Sequence, residues 1–527
     1  MINPKTIIQQ IKKDILEISK KKGINPSSVD KIAFWAFTKV TEWQVRKLGG
    51  FAYIKSYLFG DEEKVEIDET TTVTQSNKIP DIKNAYGKNK RFVITTAIAG
   101  SKVWTNALRS LENYCKVKKA QLLIIPQGIT KNDTSFDKSI SKYIMTEEYQ
   151  LNKSITVSLL PIRPTTTQPL VGLNRFTKHS TIFGSPKLFM KPIPTSNYKI
   201  PKVIMTTGCI TRPYYSNTKV GRMAEQDHTY SAVVVEIEDN KRYHFRQLVM
   251  NEMGEFTDLG IKYGSKGTKV NHAIGLVLGD IHVGSVCPQV INATNEMRAL
   301  LQPKQLIFHD VMDSFSINHH HENDSIIKAN KAETGENNLK NEYEAVADFL
   351  YETMNYKYNK VEKGIIVESN HDEAVDRYIK EGRYINDPIN LRISSKLAAE
   401  MLDGKKPLEA YITKYSKYAD KLNNLVFLDV DDDYYVTDVQ VAQHGHIGSN
   451  GARGSIKSQE MGAKKSIVAH SHSPEIFHNV YRVGTSTYLK LEYNKGFSSW
   501  LNSHCAIYSD GTRQIINIIE GKWRNIK

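Results

Sequence analysis

The sequence predicts an α/β protein, with a helical and α+β N-terminal region leading into an α/β C-terminal half. Three observations predict it. Apolar runs of strand length recur from Asn271 onward, each followed at once by Asp, His or Asn. A helix-period segment from Asn338 to Tyr358 lies between two of these runs, as a crossover would. Upstream, Arg91-Phe92-Val93-Ile94-Thr95-Thr96-Ala97, a helical stretch from Val103 to Val117, and Ala120-Gln121-Leu122-Leu123-Ile124-Ile125-Pro126 read as strand, helix, strand.

At 527 residues the chain has room for two or three domains. We place them at 1–75, 90–265 and 266–527. Hydrophobic residues at 40% and charged residues at 24% exclude wholesale disorder and a fibrous repeat. The formal charge of +14 favours a polyanionic partner, since Lys and Arg displace counterions from a phosphate backbone, but charge alone does not identify nucleic acid and fits a solubility device as well. Cys115, Cys209, Cys287 and Cys505 show no two-residue spacing for zinc or redox chemistry. We read no secretion signal and no membrane span, and expect a cytoplasmic protein, in the host cytoplasm if the chain is phage-encoded.

In the first segment Ile7, Ile8, Ile11, Ile15, Leu16 and Ile18 recur at helical steps up to Gly23. Ser27 or Ser28 can cap a second helix, and Thr41 to Lys47 can form a third, an order that fits either a helix-turn-helix or a packed helical cap. Residues 61–89 turn polar, as a linker would. Ala99-Gly100-Ser101 lacks a full Gly-rich phosphate loop and reads as an ordinary helix entry. Residues 151–263 are β-rich, with a hairpin about Asp239-Asn240. Arg212, Tyr214, Tyr215, Lys219 and Arg222 fit a nucleic-acid surface or a solvated loop.

The chemistry begins at the strand His272 to Leu278, which delivers Asp280 and His282 at its C-terminal end, where ligands bind in open α/β sheets. The pattern repeats. Leu306-Ile307-Phe308 ends in His309-Asp310, Gly364 to Val367 leads to Asn370-His371-Asp372, Val439 to Ala442 leads to His444 and His446, and Ile467-Val468-Ala469 leads to His470 and His472. Hard oxygens and imidazoles at five successive strand ends suit divalent cations.

In these residues, from about His272 to Gly484, the chain resembles the calcineurin-like metallophosphoesterases, among them the SbcD-type DNA nucleases and the DNA-transfer nucleases of tailed phages. The resemblance implies a four-layer domain of two packed mixed sheets flanked by helices. It implies two divalent ions, manganese foremost, with iron or zinc as alternatives, sharing Asp310. Asp280, His282 and His472 would complete one site; Asn370, His444 and His470 the other. His444 is preferred to His446 because it follows its strand directly. Where the family has Gly, this chain has His309, Ser369 and Ala469. His371 is the expected acid for the leaving oxygen, with Asp372 or a nearby carboxylate orienting its ring. A water acidified by the ions would attack phosphorus in line.

Around this centre, Asp313, His319 and His320 lie in a His-dense loop read either as contacting the scissile phosphate or as exposed, and Arg453 is expected to grip the phosphodiester backbone together with Lys457, Lys464 and Lys465. Asp429 to Asp433 lack calcium-loop spacing and read as a turn. Residues 484–493 and the Asp510-Gly511 turn are expected to close a second sheet. The expected activity is metal-dependent hydrolysis of DNA, aided by the basic N-terminal region. A phosphomonoesterase or protein phosphatase, and a non-catalytic DNA-binding scaffold, are the alternatives. A homo-oligomer or an accessory subunit is compatible with either.

Overall fold

The computed structural model describes residues 4–23, 34, 90–128, 135–196, 200–491 and 494–525. The chain divides into two compact units, Met1–Thr72 and Val73–Lys527. In the first, helix α1 (Pro4–Lys22) buries Ile11, Ile15 and Ile18 at three- and four-residue steps, while Leu16 stays exposed. The second and third helices expected of a helix-turn-helix lie outside the described residues, as does the polar stretch 61–89.

The second unit is mixed α/β. Strands β1 (Arg91–Ile98) and β2 (Gln121–Gln127) run parallel, joined by helix α2 (Thr105–Lys118). The hairpin β3 (Ser231–Ile237) and β4 (Tyr243–Val249) completes a four-stranded sheet in the order β4-β3-β1-β2. Ala107, Leu108, Leu111 and Tyr114 of α2 pack on Val93, Ile124 and Val234. Within this layer the buried Arg246 guanidinium lies 2.7 Å from Asp258 and 3.3 Å from Glu236.

The second sheet has six strands: β5 (Gly275–Val277), β6 (Gln305–Phe308), β7 (Lys363–Val367) and β8 (Leu425–Leu428) lie parallel. Further on come β9 (Val439–Gln440) and β10 (Ser466–Val468), which belong to another sheet, and then β11 (Asn502–Ile507) and β12 (Arg513–Ile518). The order of the six is β8-β7-β6-β5-β11-β12, with β11 antiparallel to β5. The Asp510-Gly511 turn therefore joins strands of the same sheet as β5, not of a second one, and residues 484–491 contribute isolated bridges such as Asp280 with Thr485. Helices α3 (Pro288–Leu301), α4 (Leu339–Met354) and α6 (Leu391–Leu402) cover one face of this sheet; between the last two, α5 (Asn370–Lys380) starts at the end of β7. Tyr343, Val346, Leu350 and Met354 form the buried stripe of α4, capped by Asn338.

Strands β9 and β10 belong to a ten-stranded sheet that continues through Val480–Arg482 and Glu475–Phe477 into five strands drawn from residues 149–206. The join is antiparallel, Ile476 opposite Met190. The boundary expected near residue 265 is thus crossed by a hydrogen-bonded sheet. The two large sheets share one core: Val277, Ile307 and Ile365 meet Val439, Ile467 and Ile476. Residues 429–433 form a turn, in which the Asp432 carboxylate accepts from the Asp429 N–H. No helix among the described residues is long and apolar enough to cross a membrane.

Candidate metal centre

Strands β5, β6 and β7 are parallel and adjacent, so their C-terminal ends open at one edge of the sheet, and β9 and β10 bring two more loops to it from the facing sheet. Gly279 lets the β5 loop lie against its neighbours: a Cβ there would come within 2.6 Å of the Ser503 carbonyl and 2.8 Å of that of Gly484. His504 fixes the same loop, its Nδ1 accepting from the Gly279 N–H at 2.9 Å and its Nε2 bonded to Thr294. That role was not legible, because a single His in an apolar strand carries no local signal.

Asp310 is the hub. Its Oδ2 lies 3.4 Å from His282 Nε2 and 3.2 Å from His444 Nε2. His472 Nε2 approaches His282 Nε2 to 3.0 Å and Asp280 Oδ2 to 3.3 Å. His470 Nδ1 lies 3.0 Å from Asn370 Oδ1, and its ring centroid is 5.2 Å from that of His444. All seven residues expected as ligands are therefore gathered at one place. His444, not His446, reaches Asp310; His446 turns to Glu373 at 3.2 Å.

The donor set fits divalent cations. Asp280 Oδ2 and Asp310 Oδ1 are buried without a hydrogen-bond partner, although a buried carboxyl oxygen needs one. Asp310 is common to the groups His282–Asp310–His472 and Asp280–Asp310–His444, whose ligand atoms lie within 4.8 Å of one another. Two imidazole nitrogens each about 2.1 Å from one ion and cis to each other would sit about 3 Å apart, and His282 and His472 do so at 3.0 Å. The His282 Nδ1–H donates to Asp313 Oδ1 at 3.0 Å, which turns Nε2 toward the hub.

The charges agree. Burial and the neighbouring Asp310 hold the Asp280 carboxyl well above the usual range. Asp310 is held well below it: burial opposes ionisation, but His444, His371 and His282 outweigh it. Burial, and then the neighbouring His444, depress His470 to about 4, and burial also lowers His472 and His444, which favours the neutral imidazoles that a cation would require.

The Gly replacements cause no strain where they occur. Ser369 is extended (φ −128°) and caps α5 in a reciprocal box with Asp372, and His309 and Ala469 keep negative φ. The left-handed backbone falls instead on His282, Asp310, His470 and His472, at φ 48°, 45°, 75° and 56°.

The remaining candidates divide. His371 and Arg453 line a cavity of about 430 Å3 that also exposes Asp310, Asn370, His470 and His472. Asp372 does not orient His371. Its carboxylate is committed to the Ser369 N–H and Oγ, and burial raises it to about 8. The ring is held by Asp313, whose carbonyl oxygen lies 2.6 Å from His371 Nδ1, so Asp313 supports two histidines rather than facing substrate. His319 and His320 are exposed on a short turn, their rings tilted against each other with centroids 3.9 Å apart, and neither lines the cavity. Arg482 and Trp500 line it unforeseen; Trp500 stands edge-on to His472 at 4.1 Å.

A mixed α/β unit with a buried His/Asp cluster able to hold metal is thus the class that the structure defines. No family model matches the chain. It is 28% identical over 466 residues to Protein A1 of Escherichia phage T5, an overlap covering 83% of each protein.

Proposed function

We propose that the protein is a metallophosphoesterase that hydrolyses DNA phosphodiester bonds. The carrying observation is the convergence of Asp280, His282, Asp310, Asn370, His444, His470 and His472 from five strand ends on one shared carboxylate. The calcineurin-like order of these residues, the two mixed sheets packed on one core and the charge of +14 support the reading.

Asp280, His282 and His472 on one side and Asn370, His444 and His470 on the other would hold two cations, with Asp310 between them offsetting their repulsion. The mixed nitrogen and oxygen donors suit manganese, iron or zinc. When bound, such a pair supplies Lewis acidity toward phosphoryl oxygens and acidifies water. The chain's own residues do the rest. Arg453, exposed at the cavity and pairing with no carboxylate among the described residues, binds the phosphate backbone. His371 keeps its Nδ1 proton on the Asp313 carbonyl, so that Nε2 is the atom that can hand a proton to the departing oxygen. A phage-encoded relative supports the host cytoplasm as the place of action.

The test is incubation with manganese and either plasmid DNA or a small phosphomonoester. DNA cleavage that disappears in Asp280→Ala is the expected result. Turnover of the monoester alone would make the protein a phosphatase, and binding of DNA without turnover in any metal would make it a scaffold.

A further inference from the structure

The loop 313–318 touches both His282 and His371, yet nothing in the reaction accounts for what fixes the loop itself. Its own backbone is strained: Ser314 has φ 55°, and its Oγ donates to the His371 carbonyl oxygen at 2.6 Å. The fixing groups come from two helices behind it. Glu342, in the first turn of α4, accepts from the Phe315 N–H at 2.9 Å, the Ser316 N–H at 3.1 Å and the Ser316 hydroxyl at 2.6 Å. Lys331, on the helix Ser325–Thr334, donates to the Phe315 carbonyl and lies 4.2 Å from the centre of the Phe315 ring.

We propose that Glu342 is a positioning residue for the metal centre: by clamping Phe315 and Ser316 it places Asp313, which in turn sets the tautomer and direction of His282 and holds His371. The inference rests on the reading of His282 as a metal ligand. The chain of contacts is continuous. Glu342 holds two consecutive backbone N–H groups, and two residues upstream the Asp313 carboxylate takes the His282 Nδ1 proton at 3.0 Å while its carbonyl takes that of His371 at 2.6 Å. One carboxylate outside the cavity thus orients a ligand and the leaving-group acid together. Only an acceptor serves at 342: an amide would turn its NH2 toward at least one of three donors.

The experiment is calorimetric titration of the full chain with manganese alone, with thermal melting in parallel, on wild type, Glu342→Gln, Ser316→Ala, Asp313→Asn and the double variant Glu342→Gln/Asp313→Asn. Glu342→Gln is expected to weaken manganese binding roughly 10- to 100-fold, the loss typical of groups that orient metal ligands. Ser316→Ala, which removes one of the three bonds and leaves the carboxylate in place, is expected to fold normally and weaken binding less. The double variant is expected to bind about as weakly as Asp313→Asn, because both act through the same histidine. A lowered melting temperature with manganese affinity within twofold of wild type would make Glu342 merely structural and overturn the proposal, as would fully additive losses. Absence of manganese binding by the wild type would instead remove the metal reading itself.

Discussion

His371, His444 and His446 crowd the same centre, yet their hydrogen bonds give them different work. The His371 ring is pinned through Nδ1 to the Asp313 carbonyl. His371→Ala is therefore expected to keep manganese binding while turnover falls about 10²- to 10⁴-fold, the usual contribution of a positioned proton donor; a near-normal rate in steady-state assays would refute its acid role. His446 is bound to Glu373 and His444 to Asp310. Metal analysis should accordingly show His444→Ala losing bound manganese and His446→Ala retaining it. The four left-handed residues, His282, Asp310, His470 and His472, each carry about 1–3 kcal/mol of backbone strain. Their surroundings hold them there so that loops leaving separate strands can turn inward on one point.

At the scale of elements, most of the candidate site was legible because its signal is local. An apolar strand followed at once by a metal-competent residue can be read in a window of ten residues, and the helix Leu339–Met354 could be read from its period. What stayed hidden depends on distance in sequence. Glu475–Phe477 finds its partner at Phe189–Ile193, and no short window encodes that pairing. Asp372 misled for a different reason: adjacency suggested His371, but Ser369, three residues back, makes Asp372 a helix-capping group. The β3–β4 hairpin carries its own prediction. Burial opposes ionisation of Glu236, but the Arg246 and Arg91 guanidinium groups outweigh it and hold the carboxyl near 2 instead of 4.5. Its stabilisation is therefore fully present above pH 4.5 and lost as the pH falls toward 2, an amount of order 3 kcal/mol. Denaturant titration of Glu236→Gln should show a deficit of at least that order at pH 7, since a buried arginine loses a countercharge, and a much smaller one near pH 2. A deficit independent of pH would mean that the carboxylate charge contributes nothing.

At the scale of the whole molecule, the residues that could hold metal and those that complete their sheet come from opposite parts of the chain. Removing residues 149–206 would expose Glu475–Phe477 as an unpaired edge and uncover the β9–β10 half of the shared core, where Ile467, Ile476 and Tyr481 are buried at 0%, 1% and 2% exposure. A fragment of residues 266–527 holds every expected ligand, so a self-contained catalytic half would bind manganese. The cross-sheet predicts otherwise. That fragment should aggregate or melt without cooperativity and bind no manganese, whereas residues 73–527, the second compact unit, should unfold in one transition and titrate with manganese as the full chain does. Cooperative melting and metal uptake by 266–527 alone would show that the N-terminal strands are an ornament on an independent domain. The opposite result would explain why strand ends so far apart in sequence meet: Glu475–Phe477, which carries the β9–β10 sheet onward through Val480–Arg482, is held in register by Phe189–Ile193, a strand that precedes it by more than two hundred residues.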